Sequence, residues 1–174
     1  IMNNFFFHKK NDLDWILLPG VGVENYIKFS KFKNITFTNM REINSNQVAD
    51  HAFALLLSIT RKLHFLNNKG LNAKFDFSPI ELKNKRALIL GYGGVGKKIA
   101  IRARSFGLKV DVITKKNVND ENKFNIFLFK NFYQIIRKAN IIFISAPLTK
   151  TTKNLFNYET FKLMKKKSII INVS

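Results

Sequence analysis

Gly91, Gly93 and Gly96 stand where an apolar stretch, Ala87–Leu90, gives way to a run with helical periodicity. Their G-x-G-x-x-G spacing is that of a phosphate cradle. Gly91 permits a tight turn, Gly93 lets the backbone approach a pyrophosphate, and Gly96 allows a helix to pack closely on the preceding strand. A helix starting here offers unpaired N–H groups and the positive end of its dipole to the phosphates. The same spacing also occurs in turns that bind nothing, so the context decides. Ala87–Leu90 reads as a strand buried on both faces, as a parallel sheet requires. Val95, Ile99, Ala103 and Phe106 share one helical face, and a second strand, Leu108–Thr114, completes a βαβ unit.

The elements around this unit extend the pattern. Phe132–Lys138 reads as a short helix, Asn140–Ser145 as a strand stopped by Pro147, and Asn157 as the cap of a helix over Tyr158–Met164. Ser168–Asn172 is a further strand. Strand and helix alternate from residue 86 onward, which predicts a doubly wound parallel sheet with spatial strand order 3-2-1-4-5. Ligands of such sheets sit beyond the carboxyl ends of the strands, here Gly91, Thr114, Ser145–Pro147 and Val173-Ser174. Upstream, Asp14–Leu18 reads as a short buried strand and Asn34–Thr38 as a second short strand. Between them, Pro19-Gly20-Val21-Gly22-Val23 is either a backbone carboxylate cradle or only a tight connection; spacing does not choose. Val48, Ala52, Leu55, Leu56, Ile59 and Leu63 recur at helical intervals over 46–66, with Asn44, Ser45 or Asn46 available as cap. A polar connector, 67–84, contains Gly70 and Pro79. The expected organisation is therefore 1–45, 46–85 and 86–174.

Composition narrows the classes. The chain has no cysteine, so it holds no disulfide framework, thiolate metal site or cysteine nucleophile. That is compatible with a cytoplasmic setting. No apolar run approaches the ~20 residues of a membrane span. The formal charge of +19 invites a nucleic-acid reading. The lysines are scattered, however, and only Lys165-Lys166-Lys167 forms a run. The accompanying Asn, Ile and Phe are what AT-rich coding yields, so the expected partners exclude nucleic acid and membrane. The positive field would draw anionic ligands.

Four motifs in order resemble those of the D-isomer-specific 2-hydroxyacid dehydrogenases, a family including phosphoglycerate, glyoxylate/hydroxypyruvate, D-lactate and formate dehydrogenases. They are Leu18–Glu24, Val48–Leu57, Gly91–Gly96, and Ser145–Thr149 continuing through Thr152 and Leu155–Met164 to Asn172. The resemblance implies a Rossmann domain with part of a second, flavodoxin-like substrate lobe. It implies hydride transfer between a nicotinamide cofactor and a small 2-hydroxy or 2-keto acid by a homodimeric parent. Carried over by position, Val21, Gly22 and Val23 would hold the substrate carboxylate. Gly94 and Val95 would lie against the pyrophosphate, with Gly91, Gly93 and Gly96 shaping the turn. Ala146-Pro147 and Thr152 would flank the adenosine and nicotinamide halves, and Val173-Ser174 the nicotinamide ring. His51 matches a helix histidine of packing or interface type; His8 and His64 match nothing. In the family the catalytic arginine follows the segment matching Asn172–Ser174, and the acid and histidine come later. No catalytic residue or metal ligand is therefore assigned. The chain reads as an internal fragment of an enzyme, expected to show no nicotinamide-coupled reduction of glyoxylate or hydroxypyruvate; measurable turnover by the purified chain would refute this.

Two finer expectations follow. An acidic residue about 20 residues past the glycines marks NAD(H) binding, whereas Thr114 ends the second strand here, with Lys115 and Lys116 after it. NADP(H) is thus expected in preference to NAD(H). The alternative to an enzyme is a nicotinamide-sensing protein like the corepressors that resemble this family.

Overall fold

The computed structural model describes residues 14–18, 35–40, 42–63, 65, 78–115, 118 and 121–174. The chain forms two compact units, Ile1–Arg41 and Glu42–Ser174. In the first, β1 (Trp15–Leu18) pairs in parallel with β2 (Thr36–Asn39), Trp15 opposite Thr36, and the Trp15 indole Nε1 donates to Thr38 Oγ1 at 2.7 Å. Asp14–Leu18 was expected to be a buried strand. Instead Trp15 and Leu17 are more than half exposed and only Leu18 is buried, because β1 has one strand neighbour among the described residues and side chains alternate between its faces.

The second unit runs α1 (Ser45–Thr60), β3 (Arg86–Leu90), α2 (Gly94–Ser105), β4 (Lys109–Thr114), β5 (Asn125–Leu128), α3 (Phe132–Ile136), β6 (Ile141–Ile144), α4 (Tyr158–Leu163) and β7 (Ile169–Asn172). All strand pairs are parallel and the spatial order is β5-β4-β3-β6-β7. Counted within the unit, that is 3-2-1-4-5, the expected α/β Rossmann order. The sequence reading named four of these strands. The missed one, β5, is a short edge strand with its first residue exposed and the rest half-buried; its apolar run, Ile126–Phe129, is too short to separate strand from helix by pattern.

Alternation along the strands divides the core into two layers. Ala87, Ile89, Val110, Val112, Ile141 and Phe143 face α1 and α2, where Ala49, Phe53, Leu56, Ile99 and Ala103 cover them. Leu88, Leu90, Ile113 and Ile142 face the other way, under Phe132, Ile135, Ile136 and Leu155. The apolar-throughout strands are explained by this double cover. Helix α1 is shorter than the expected 46–66, and it buries Ala49, Ala52, Phe53 and Leu56 while Leu55 and Ile59 stay exposed. Both apolar stripes obey the helical period, so periodicity alone could not say which faces the sheet. Asn44 precedes α1 without a side-chain cap bond, whereas Asn157 Oδ1 accepts from Thr160 N at 3.0 Å and caps α4. Among the described residues no helix is long and apolar enough to cross a membrane.

At the amino ends of the strands lies an ion pair buried on its carboxylate side. Asp111, wholly buried in β4, accepts from Arg86 Nη1 at 2.7 Å and from Asn125 Nδ2 at 3.2 Å. The Arg86 backbone N–H donates to Asn140 Oδ1 at 3.0 Å. This network ties the starts of β3, β4, β5 and β6, so the opposite, carboxyl edge is left for a ligand.

Candidate dinucleotide-binding site

The glycine turn sits where the strand order reverses, between β3 and β6. Gly91 has φ +98°, a left-handed backbone region, and a Cβ there would lie 2.8 Å from the Ala146 nitrogen. Its own N–H donates to Ile113 O at 2.9 Å, extending the β3–β4 ladder. Only glycine meets both demands. At Gly96 a Cβ would overlap the Gly91 carbonyl oxygen, which lets α2 start directly over the end of β3. Gly93 is different. A Cβ there would have nothing within 4 Å, so its α-carbon faces open space.

Gly93 is the N-cap of α2, and the first helical bond runs from Lys97 N to Gly93 O at 2.9 Å. The N–H groups of Gly94, Val95 and Gly96 therefore have no acceptor inside the helix, and the first turn has no acidic residue. Open space, free donors and the positive dipole end coincide, the chemistry of an anion cradle. A dinucleotide pyrophosphate fits it, because among the described residues nothing lies within 4 Å of the position a Gly93 side chain would fill. Gly94 is more enclosed: a Cβ on it would come within 2.5 Å of Ser45 Oγ and 2.8 Å of Glu42 Cγ. The lead-in to α1 thus covers one side of the cradle, and half-buried Val95 packs on the core layer of α1 and α2. Tyr92 is nearly buried, edge-on to Phe124 at 6.4 Å, with Lys97 Nζ 5.9 Å from its ring.

Thr114 closes β4 at the same edge, paired with Leu128 and half-buried, and exposed Lys115 follows. Asp111, three residues earlier, is held by Arg86 and unavailable to a ribose. Lys116 lies outside the described residues, as do Val21, Gly22, Val23, His8 and His64. Ala146 packs beneath β6 while Pro147 is exposed. Thr152 is already engaged: its hydroxyl donates to Pro147 O at 2.7 Å and accepts from Thr149 N at 2.7 Å. These bonds close the loop after β6 into a defined turn.

Val173 N donates to Ile144 O at 3.0 Å, and Ser174 N and Oγ both bond Asn172 Oδ1. Val173 and Asn172 line an open groove of about 410 Å³ with Asn44, Gln47, Val48 and His51. The sequence assigns His51 a packing or interface role and Asn44 only a possible capping role, and does not single out Gln47. Their signal was spacing, since 44, 47, 48 and 51 share one helical face.

A family model described as D-isomer specific 2-hydroxyacid dehydrogenase, NAD binding domain, matches residues 53–174. The chain belongs to this family. It is 29% identical to a glyoxylate reductase of Pyrococcus furiosus over 166 residues, covering 88% of this chain and 49% of that protein. It is 31% identical to a D-3-phosphoglycerate dehydrogenase of Bacillus subtilis over 170 residues, covering 95% of this chain and 32% of the relative. The crystal structure of a D-isomer specific 2-hydroxyacid dehydrogenase family protein from Aeromonas salmonicida superposes with TM-score 0.82 at 25% identity, over 92% of this chain and 52% of that one. The chain thus spans about half the length, or less, of these relatives. Residues 53–174 are a nicotinamide-dinucleotide-binding domain of an oxidoreductase family. None of the relatives named here is a corepressor.

Proposed function

We propose that the parent protein transfers a hydride between a nicotinamide cofactor and the C2 carbon of a small 2-hydroxy or 2-keto acid, and that residues 42–174 hold the cofactor. The observation carrying this is the Gly93 edge of the cradle, open where a pyrophosphate would enter and faced by helix donors without helical partners. The cofactor supplies the hydride; this chain orients it and neutralises its phosphates. Gly93, Gly94 and Val95 would take the pyrophosphate, Thr114 and Lys115 the adenosine ribose, Ala146-Pro147 the loop side, and Val173 the nicotinamide side. Residues 1–45, with Val21, Gly22 and Val23, would belong to the substrate lobe, and 46–85 to the connection. A homodimeric, cytoplasmic parent is in keeping with the reading; Leu55, Ile59 and Leu63 present apolar surface suited to a second copy. Titration of the purified chain with NADPH and NADH tests the core of it, and absence of saturable binding to either would end it.

The cofactor of choice in this reading is NADP(H). A carboxylate at position 114 would repel a 2′-phosphate, whereas the Thr114 hydroxyl donates to it and Lys115 or Lys116 adds a charge-assisted hydrogen bond worth about 1.5–3 kcal/mol. One such bond shifts preference roughly ten- to a hundredfold. NADPH is expected to bind more tightly than NADH by that ratio, and Thr114→Asp to reverse it. A chain favouring NADH, or a ratio unmoved by the substitution, rules this out.

A further inference from the structure

Ser145, the residue after β6, lies under the glycine turn and has no part in the site as outlined above. Its backbone N–H continues the ladder to Leu90 O at 2.9 Å, so that carbonyl already has a donor. Its hydroxyl stands 3.3 Å from Leu90 O and 3.2 Å from Gly91 O. Gly91 O is the atom over which α2 closes, since a Cβ on Gly96 would overlap it, and Ser145 Oγ lies 2.9 Å from that same Cβ position. A Cβ on Gly91 would in turn lie 2.9 Å from the Ser145 carbonyl carbon. Ser145, Gly91 and Gly96 therefore meet at one point beneath the turn.

The consequence is directional. A peptide unit has its carbonyl and the next N–H on opposite sides. Holding the Gly91 carbonyl inward commits the following N–H to the outer side of the turn. The hydroxyl proton of Ser145 is the donor that the described residues supply to this carbonyl, and a buried carbonyl left without a donor relaxes toward one. We propose that Ser145 is a positioning residue of the cradle: its hydroxyl fixes the Gly91 peptide so that the turn keeps its shape for a pyrophosphate. The inference rests on the dinucleotide reading and names the residue that pre-forms that site. Because Ser145 touches backbone beneath the turn, its effect is confined to ligands carrying the diphosphate.

The test separates phosphate from nucleoside. ADP and adenosine are titrated into the wild-type chain, Ser145→Ala and Ser145→Thr, with NADPH as a positive control. The alanine variant is expected to bind ADP about three- to tenfold more weakly, the loss of one neutral hydrogen bond, while adenosine affinity stays unchanged. The threonine variant, which keeps the hydroxyl, is expected to match wild type for both. If the alanine variant does not fold, Ser145→Cys, with its weak donor, replaces it and shows the same split. Equal losses for ADP and adenosine would make Ser145 merely structural and overturn the proposal, as would undiminished ADP affinity. A wild-type chain that binds neither NADPH nor ADP would overturn the dinucleotide reading and this inference with it; NADPH binding with an indifferent alanine variant would overturn this inference alone.

Discussion

Gly96→Ala is expected to lower stability by about 2–4 kcal/mol and abolish dinucleotide binding, while Gly93→Ala leaves stability within about 0.5 kcal/mol of wild type and still loses at least about tenfold in affinity. The two glycines lie three residues apart in one turn but answer to different neighbours. At Gly96 an added methyl overlaps the Gly91 carbonyl oxygen, a backbone atom at the end of β3 that accepts from the Ser145 hydroxyl. Alanine would gain about 1 kcal/mol of helix propensity there, and the overlap outweighs it. At Gly93 the backbone, φ −83° and ψ −164°, is one alanine adopts freely. Its methyl would meet no atom of the described residues within 4 Å and would instead stand in the space given to the ligand. Urea unfolding of both variants without cofactor, paired with NADPH titration, separates the effects. A Gly93→Ala chain that unfolds as early as Gly96→Ala would show the turn is strained as a whole and would sink the division of roles.

The second large effect lies at the other end of the sheet. Arg86→Met is expected to cost about 3–5 kcal/mol, because it strands a carboxylate with no solvent exposure. Asp111→Ala is expected to cost only about 1–2 kcal/mol, because the Arg86 side chain, about a third exposed at 35%, turns to water instead. Asn125 would remain as one neutral donor to the Asp111 carboxylate, too little to replace a guanidinium. The pair Arg86→Met with Asp111→Leu should recover most of the loss, since apolar replacement of a buried ion pair is often neutral. Equal costs for the two single variants in urea unfolding would contradict this asymmetry.

Much of this was legible in the sequence, for identifiable reasons. The β3–α2 junction could be read because glycine, alone among residues, fits φ +98° at Gly91 and the contact at Gly96. Strands β3, β6 and β7 were readable because cover on both faces forces unbroken apolar runs, and β4, interrupted by Asp111, from its place after the helix of the βαβ unit. The order of strands followed from alternation, which leaves few topologies. Edge strand β5 was not named although Ile126-Phe127-Leu128-Phe129 is an unbroken apolar run, because so short a run does not by itself separate a strand from a helical turn. The face of α1 could not be chosen because two apolar stripes compete at one period. Of the candidate site, the cradle was visible in residue types. Ser145 could be read only as the end of a strand and Asn44 and His51 only as a possible cap and a packing or interface residue, because their relevance comes from contacts 54 residues away in the first case and from the meeting of α1 with β7 in the second.

Phe53 stacks on Phe106 at 5.1 Å and on Phe143 at 5.4 Å, both with rings 22° apart. One side chain of α1 is thus clamped between the end of α2 and the middle of β6. Opening α1 would break a three-ring pile reaching the central layer, together with the burial of Ala49, Ala52 and Leu56. The helix therefore has no stability of its own to lose separately: its amides around Phe53 should exchange with solvent only when β3 and β6 do, as parts of one cooperative folding unit.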